Sequence, residues 1–183
     1  MTTREINRLL REAAKAGQAE IVLEHPDARH NLGVALLDPV RVRIDGNAGS
    51  GVAASIRGGT VVVRGQAAAR AGVSMKGGTL VIGGNCGPMA GFMMQKGRII
   101  ICGDAADALA DSMYEGVVFV GGDIKELGND AVVQKPTRAD VNALESILAT
   151  YQIPHPVAFR KVVSGRKLWN FDRKELDIWK AAL

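Results

Sequence analysis

The sequence predicts an all-β core, a single-stranded right-handed parallel β-helix with 19-residue turns. An N-terminal helix and a C-terminal helix–hairpin–helix tail flank it. Three observations carry this expectation. Gly46, Gly65, Gly84, Gly103 and Gly122 recur at 19-residue intervals, and so do Gly59, Gly78, Gly97 and Gly116. The apolar positions keep the same interval: Ile56, Met75, Met94 and Met113 form one set, and Val63, Ile82, Ile101 and Val120 another. No insertion breaks the register between residues 40 and 133. A fixed period of about twenty residues marks a solenoid, in which each repeat is one turn of a coil stacked on the last.

Within each repeat the apolar residues alternate, as in Val42 and Ile44, Val61 and Val63, Leu80 and Ile82, Ile99 and Ile101, and Val118 and Val120. β-Branched residues at a spacing of two read as short strands. A glycine follows each strand, where a turn through a conformation unfavourable to a Cβ is expected. Strands of successive turns then pair in parallel about 4.8 Å apart, so five turns make a rod about 24 Å long. The six-residue period of left-handed hexapeptide helices is absent.

Like residues are expected to stack inside the coil. Ala48, Ala67, Cys86, Ala105 and Ile124 form one column, Ala53, Gly72, Gly91 and Ala110 a second, and Ser55, Ser74, Met93 and Ser112 a third. A leucine at position 72 is expected to overpack the second column.

Residues 1–39 read as a helix and cap. Thr2 and Glu5 make a capping box, Ile6, Leu9, Leu10 and Ala13 form the apolar face, and Gly17 ends the helix. Arg4, Arg8, Arg11 and Lys15 form a solvated face. Ile21–Leu23 reads as a strand, and Leu32–Leu37 as a degenerate first turn covering the open end of the core. His25 and His30 resemble metal ligands only by residue type, with no third ligand nearby.

Residues 134–183 read as a partner-docking tail. Thr137 and Asp140 cap a helix running to about Tyr151, with Val141, Leu144, Ile147 and Leu148 on one face. After Pro154 and Pro156, Phe159–Trp169 reads as a hairpin about Ser164-Gly165, and Asp172 and Glu175 open a last helix. The tail holds five of the eight aromatic residues. Among them, Trp169, Phe171 and Trp179 stand with Arg160, Arg166 and Lys167, and Trp and Arg dominate interface hot spots.

Composition narrows the function classes. Of the net charge of +4, residues 134–183 supply the whole excess, with nine basic residues against five acidic. A basic tail without a recognised nucleic-acid motif reads as a docking surface, so no nucleic acid is expected. No apolar run is long enough to span a membrane, and Met1-Thr2-Thr3-Arg4-Glu5 does not open a secretory signal, so a soluble cytoplasmic protein is expected. Cys86 and Cys102 sit in different columns and form neither a disulfide framework nor a metal site.

Chemistry is sparse. The column after the first glycine set reads Asn47, Gln66, Asn85, Asp104 and Asp123. As structure it is a hydrogen-bonded ladder of stacked amides. As chemistry, Asp104 and Asp123 one layer apart approach the spacing of about 5–5.5 Å found between the carboxylates of retaining glycosidases. The turns carry no long loops that would build a cleft. Phosphate-loop, dinucleotide and His-x-x-x-His motifs are missing, and the ladder is the favoured reading.

The glycine spacing, as in Gly65, Gly72 and Gly78 and again in Gly84, Gly91 and Gly97, resembles the GXGXG domain, the β-helix that closes the large subunit of glutamate synthase. The stretches Gly103–Gly116, Gly121–Ile124 and Phe159–Phe171 are similar to stand-alone members, above all to the β-helix subunit of N-methylglutamate synthase-like complexes. Ala53 and Ala110 depart from the glycine pattern.

This resemblance implies a non-catalytic structural subunit of a hetero-oligomer. It implies a glutaminase-like amidotransferase subunit and an FMN-binding, iron–sulfur-containing glutamate synthase-like subunit as partners. No catalytic residue, cofactor or metal site is implied in this chain. Formylmethanofuran dehydrogenase-like complexes, which contain a related β-helix subunit, are the alternative assembly, and a polysaccharide-active enzyme using Asp104 and Asp123 is the alternative chemistry.

Overall fold

The 19-residue register of the sequence becomes a stack of parallel strands. The computed structural model describes residues 1–167. Helix α1 (Thr3–Lys15) leads into strands β1 (Glu20–Glu24), β2 (Arg41–Asp45), β3 (Thr60–Val63), β4 (Lys76–Ile82), β5 (Lys96–Ile101), β6 (Val117–Val120) and β7 (Ala131–Gln134). Helix α2 (Arg138–Tyr151) and strand β8 (Arg160–Ser164) follow. Strands β1 to β6 pair in parallel, each with the next. Val42 faces Val61, Val61 faces Leu80, Leu80 faces Ile99 and Ile99 faces Val118, so the expected layers are adjacent. The column Ala48, Ala67, Cys86, Ala105 and Ile124 forms a second line of parallel bridges. The architecture is a parallel β-solenoid. Strand β1 belongs to it, although Glu20 stands opposite Arg41, two residues beyond the later interval.

Aliphatic side chains fill the inside of the coil. Val42, Ile44, Val61, Val63, Leu80, Ile82, Ile99, Ile101, Val118 and Val120 are fully buried, as are Ile56, Met75 and Met94. The Ala53, Gly72, Gly91 and Ala110 column is buried too. The third column is not interior. Ser55, Ser74, Met93 and Ser112 adopt left-handed backbone at a corner of the coil, and Met93 is 43 % exposed.

Alternation described only half of each strand. The intervening residues Val62, Val81, Ile100 and Phe119 are equally buried, in a second cluster on the outer face of the sheet. There α2 lies across the strands with Leu144 and Leu148 buried against them and Ile153 beside. Parallel strands covered on both faces carry unbroken apolar runs, which is why β3 reads Thr-Val-Val-Val and β6 Val-Val-Phe-Val. Each buried leucine of α2 contributes about 1.5–3 kcal/mol relative to exposure. Ile147 is partly buried, whereas Val141, expected on this face, is 40 % exposed.

The N-terminal end is closed by α1. Its capping box of Thr2 and Glu5 is present. At the other end the N–H of Gly17 donates to Ala14 and that of Gln18 to Ala13, a Schellman pairing with Gly17 left-handed. The buried face is Asn7, Leu10 and Ala14 rather than the expected set, and Leu9 is 43 % exposed. Asn7 explains the rotation: its side chain donates to the Asn31 carbonyl and accepts from the N–H groups of Gly33 and Val34. A buried amide with three partners anchors the helix to the first loop of the coil.

The opposite end departs from expectation. Among the described residues, strand β8 pairs with strands distant in sequence rather than with a local hairpin partner. It inserts antiparallel between β6 and β7, so the sheet order is β1-β2-β3-β4-β5-β6-β8-β7. The open edge of β6 offers a ready row of backbone donors and acceptors, and β8 covers it with a strand of opposite direction. The expected second hairpin strand and last helix lie outside the described residues. Among the described residues, no helix is long and apolar enough to cross a membrane.

Candidate functional site

Two regions held candidates: the polar column along the coil and the basic C-terminal end. In the column, backbone pairing first sets the spacing. The N–H of Gly65 donates to the Gly46 carbonyl, Gly84 to Gly65, Gly103 to Gly84 and Gly122 to Gly103. The residue after each glycine then reaches one layer up. Asn47 Oδ1 accepts from the Gln66 N–H at 2.8 Å, Asn85 Oδ1 from Asp104 at 2.9 Å, and Asp104 Oδ1 from Asp123 at 2.7 Å. The ladder therefore runs from side chain to backbone, not from amide to amide. Gln66 breaks it, because one more methylene carries its amide past the N–H of Asn85.

This geometry corrects the reason for the first glycine set. Apart from Gly46, these residues do not occupy left-handed backbone. A Cβ on Gly103 would sit 2.1 Å from Asn85 Oδ1 and 2.8 Å from Gly84 carbon, and one on Gly65 or Gly122 would meet the same kind of oxygen at 2.2 Å. Close approach between layers excludes a side chain. The second set is different: Gly59, Gly78, Gly97 and Gly116 all have φ between +70° and +110°.

The alternative chemistry finds its two carboxylates already engaged. Asp104 holds the Asp123 amide, and Asp123 forms an ion pair with Arg160 at 3.2 Å. Lys125, which pairs with Asp107, stands beside both aspartates in a shallow open depression. Asp111 is likewise engaged, accepting from the Asn129 backbone and side chain. Burial pushes the thiols of Cys86 and Cys102 up to about 12 and about 11, far from the thiolate that reactive cysteines need. His30 Nδ1 accepts from the Ser50 N–H. Among the described residues, no group of three His, Cys, Asp or Glu side chains could hold a metal ion.

At the C-terminal end, the three described docking candidates differ in setting. The Arg160 guanidinium donates to the Gly122 carbonyl as well as to Asp123, tying β8 to the last turn. Arg166 and Lys167 are exposed where β8 ends. Trp169, Phe171 and Trp179 lie outside the described residues. Sequence reasoning counted Lys161 only among the basic residues of the tail; the structure pairs it with Asp140 at 2.9 Å, which joins β8 to the capping box of α2. Burial works to raise the Asp140 carboxyl, but the Lys161 ammonium and the Thr137 amide and hydroxyl outweigh it and hold it at about 2. No local pattern announces this pair, since its members are 21 residues apart.

No curated protein and no solved structure matches the chain. A family model described as the GXGXG motif matches residues 28–177, which takes in every layer from the loop after β1 onward. The stacked glycines, the 19-residue layers and this match over most of the sequence lead to one conclusion: the chain belongs to the GXGXG motif family.

Proposed function

We propose that this protein is a non-catalytic structural subunit of a glutamate synthase-like assembly of the N-methylglutamate synthase type. It aligns a glutaminase-like amidotransferase subunit with an FMN-binding, iron–sulfur-containing subunit. The observation that carries this reading is the GXGXG match across an uninterrupted coil, since that domain is typical of glutamate synthase-like proteins. The physical properties of the coil suit the role. Its layers are joined by continuous backbone hydrogen bonds and its interior is filled with aliphatic side chains, so it has the low compressibility that a spacer requires. Its polar column is occupied in holding layers together. Docking is assigned to the basic, aromatic stretch from Arg160 through Arg166, Lys167, Trp169 and Phe171 to Trp179.

The test is affinity purification from the native host. Co-purification with a yellow FMN-bearing subunit and an amidotransferase-like subunit is the expected result. A solitary, colourless monomer refutes the proposal. Capture of formylmethanofuran dehydrogenase-like subunits reassigns the chain to that assembly.

A further inference from the structure

Helix α2 and the loop that follows it leave an apolar groove on the outside of the molecule. The groove has a volume of about 300 Å³ and lies between α2 and residues 155–159. Buried Leu144 and Leu148 and half-buried Phe159 make its floor, and Lys135 and Glu145 stand at its rim. Val141 on the flank of α2 is 40 % exposed, and Val157 on the loop is fully exposed. The coil is filled without these two valines. Neighbouring exposed apolar residues beside a groove mark an interaction site.

The loop is rigid. Pro154 and Pro156 fix two of its φ angles. Arg64 Nη2 donates to the Gln152 carbonyl at 3.3 Å, where the loop begins. Pro156 lies on Gly121 of the last turn, so close that a Cβ on the glycine would sit 2.3 Å from Pro156 Cγ. His155 Nδ1 donates to the Pro156 carbonyl at 2.9 Å. Val157 is thereby held out as a preformed knob beside a preformed hole, and little ordering is left for a binding event to supply.

A knob and a hole on one face are self-complementary: about a two-fold axis, the knob of each copy enters the hole of the other. The rim charges repeat this pattern. Lys135 and Glu145 are exposed and opposite in sign, and neither has an ion-pair partner among the described residues. The same axis that exchanges the valines brings each lysine towards the other copy's glutamate. A small apolar molecule would fill the hole and leave the knob bare, whereas a second copy covers both.

We propose that this groove is the interface of a two-fold homodimer. Val157 of each copy seats between α2 and the loop of the other, and Lys135 pairs with the partner's Glu145. This goes beyond the assembly reading and concerns the isolated chain, so failure of one leaves the other standing.

Sedimentation velocity and light scattering on the full-length protein over a range of concentrations are expected to give twice the 19.4 kDa mass of the chain, falling to the single mass on dilution. Val157→Asp is expected to weaken the dimer about thirtyfold or more while circular dichroism stays that of wild type. Lys135→Glu and Glu145→Lys alone should each weaken it about three- to tenfold, and the double variant, which restores opposite signs across the axis, should recover most of the loss. A wild-type chain that stays monomeric at every concentration overturns the proposal, and means that the groove serves another occupant. A dimer indifferent to Val157→Asp also overturns it, by placing the interface elsewhere. So does a double variant no tighter than the single ones, or a mass that grows beyond the dimer.

Discussion

Gly103 and Gly84 occupy equivalent positions one layer apart, and the structure makes opposite demands on them. In Gly103→Ala the new methyl group falls 2.1 Å from Asn85 Oδ1 and 2.8 Å from two backbone atoms of the layer below. The Asn85 side chain must swing away and give up its 2.9 Å bond from the Asp104 N–H. A hydrogen bond of this kind contributes about 0.5–1.5 kcal/mol. Forcing apart two packed layers adds about 1–3 kcal/mol of overpacking. In Gly84→Ala the nearest atom is Gln66 Cγ at 3.0 Å, on an exposed and flexible side chain, and the next is the Gly65 oxygen at 3.3 Å. No ladder bond is present to be lost there. The expected cost is below about 1 kcal/mol, reduced further because alanine restricts the unfolded chain. The two variants should therefore differ by about 2–3 kcal/mol, which for a chain of this length is about 4–12 °C in Tm. Thermal and urea unfolding followed by far-UV circular dichroism measures both. Equal Tm values, or a less stable Gly84→Ala, would refute interlayer contact as the reason for these glycines.

Gln66→Asn should restore the missing step of the ladder by letting the side chain accept from the Asn85 N–H; a gain of about 0.5–1.5 kcal/mol is expected in urea unfolding. Gly72→Leu should lose about 2–5 kcal/mol, because a Cβ there lies 2.6 Å from Ile99 Cδ1 and 2.8 Å from Met75 Sδ while φ is +65°; a wild-type melting curve would show that this column points outward. Asp140→Asn should lose roughly 1–2 kcal/mol at neutral pH by removing the partner of Lys161. Because the folded-state value of Asp140 is depressed to about 2, that contribution is complete above the ordinary carboxylate range. It disappears as the pH falls from about 4 towards 2, where the wild-type and variant unfolding curves should converge.

The coil was legible because its evidence is repeated. Val42, Val61, Leu80, Ile99 and Val118 each announce the same strand, and a 19-residue interval leaves only one register in which all of them face inward. The position of α2 was less legible. Its capping box and apolar face can be read locally, but the surface awaiting that face is made by Val62, Val81, Ile100 and Phe119, one residue from each of four layers. The alternating pattern drew attention to their neighbours instead. Among the site residues, the ladder's composition was visible while its bonding was not, since Asn and Gln differ only by the methylene that decides whether Oδ1 or Oε1 meets the next amide.

What the sequence by itself determined is the parallel solenoid: its period, its strands and the residues that stack, all of which are copied from layer to layer by short-range periodicity. Only the tertiary structure decided how the two ends close. Asn7 is satisfied by backbone 24 to 27 residues away, and β8 enters the sheet antiparallel about 40 residues after the strand it covers. Such pairings join segments with no shared period. They depend on which edge remains open and on where the chain returns after α2, and no local pattern of side chains encodes either.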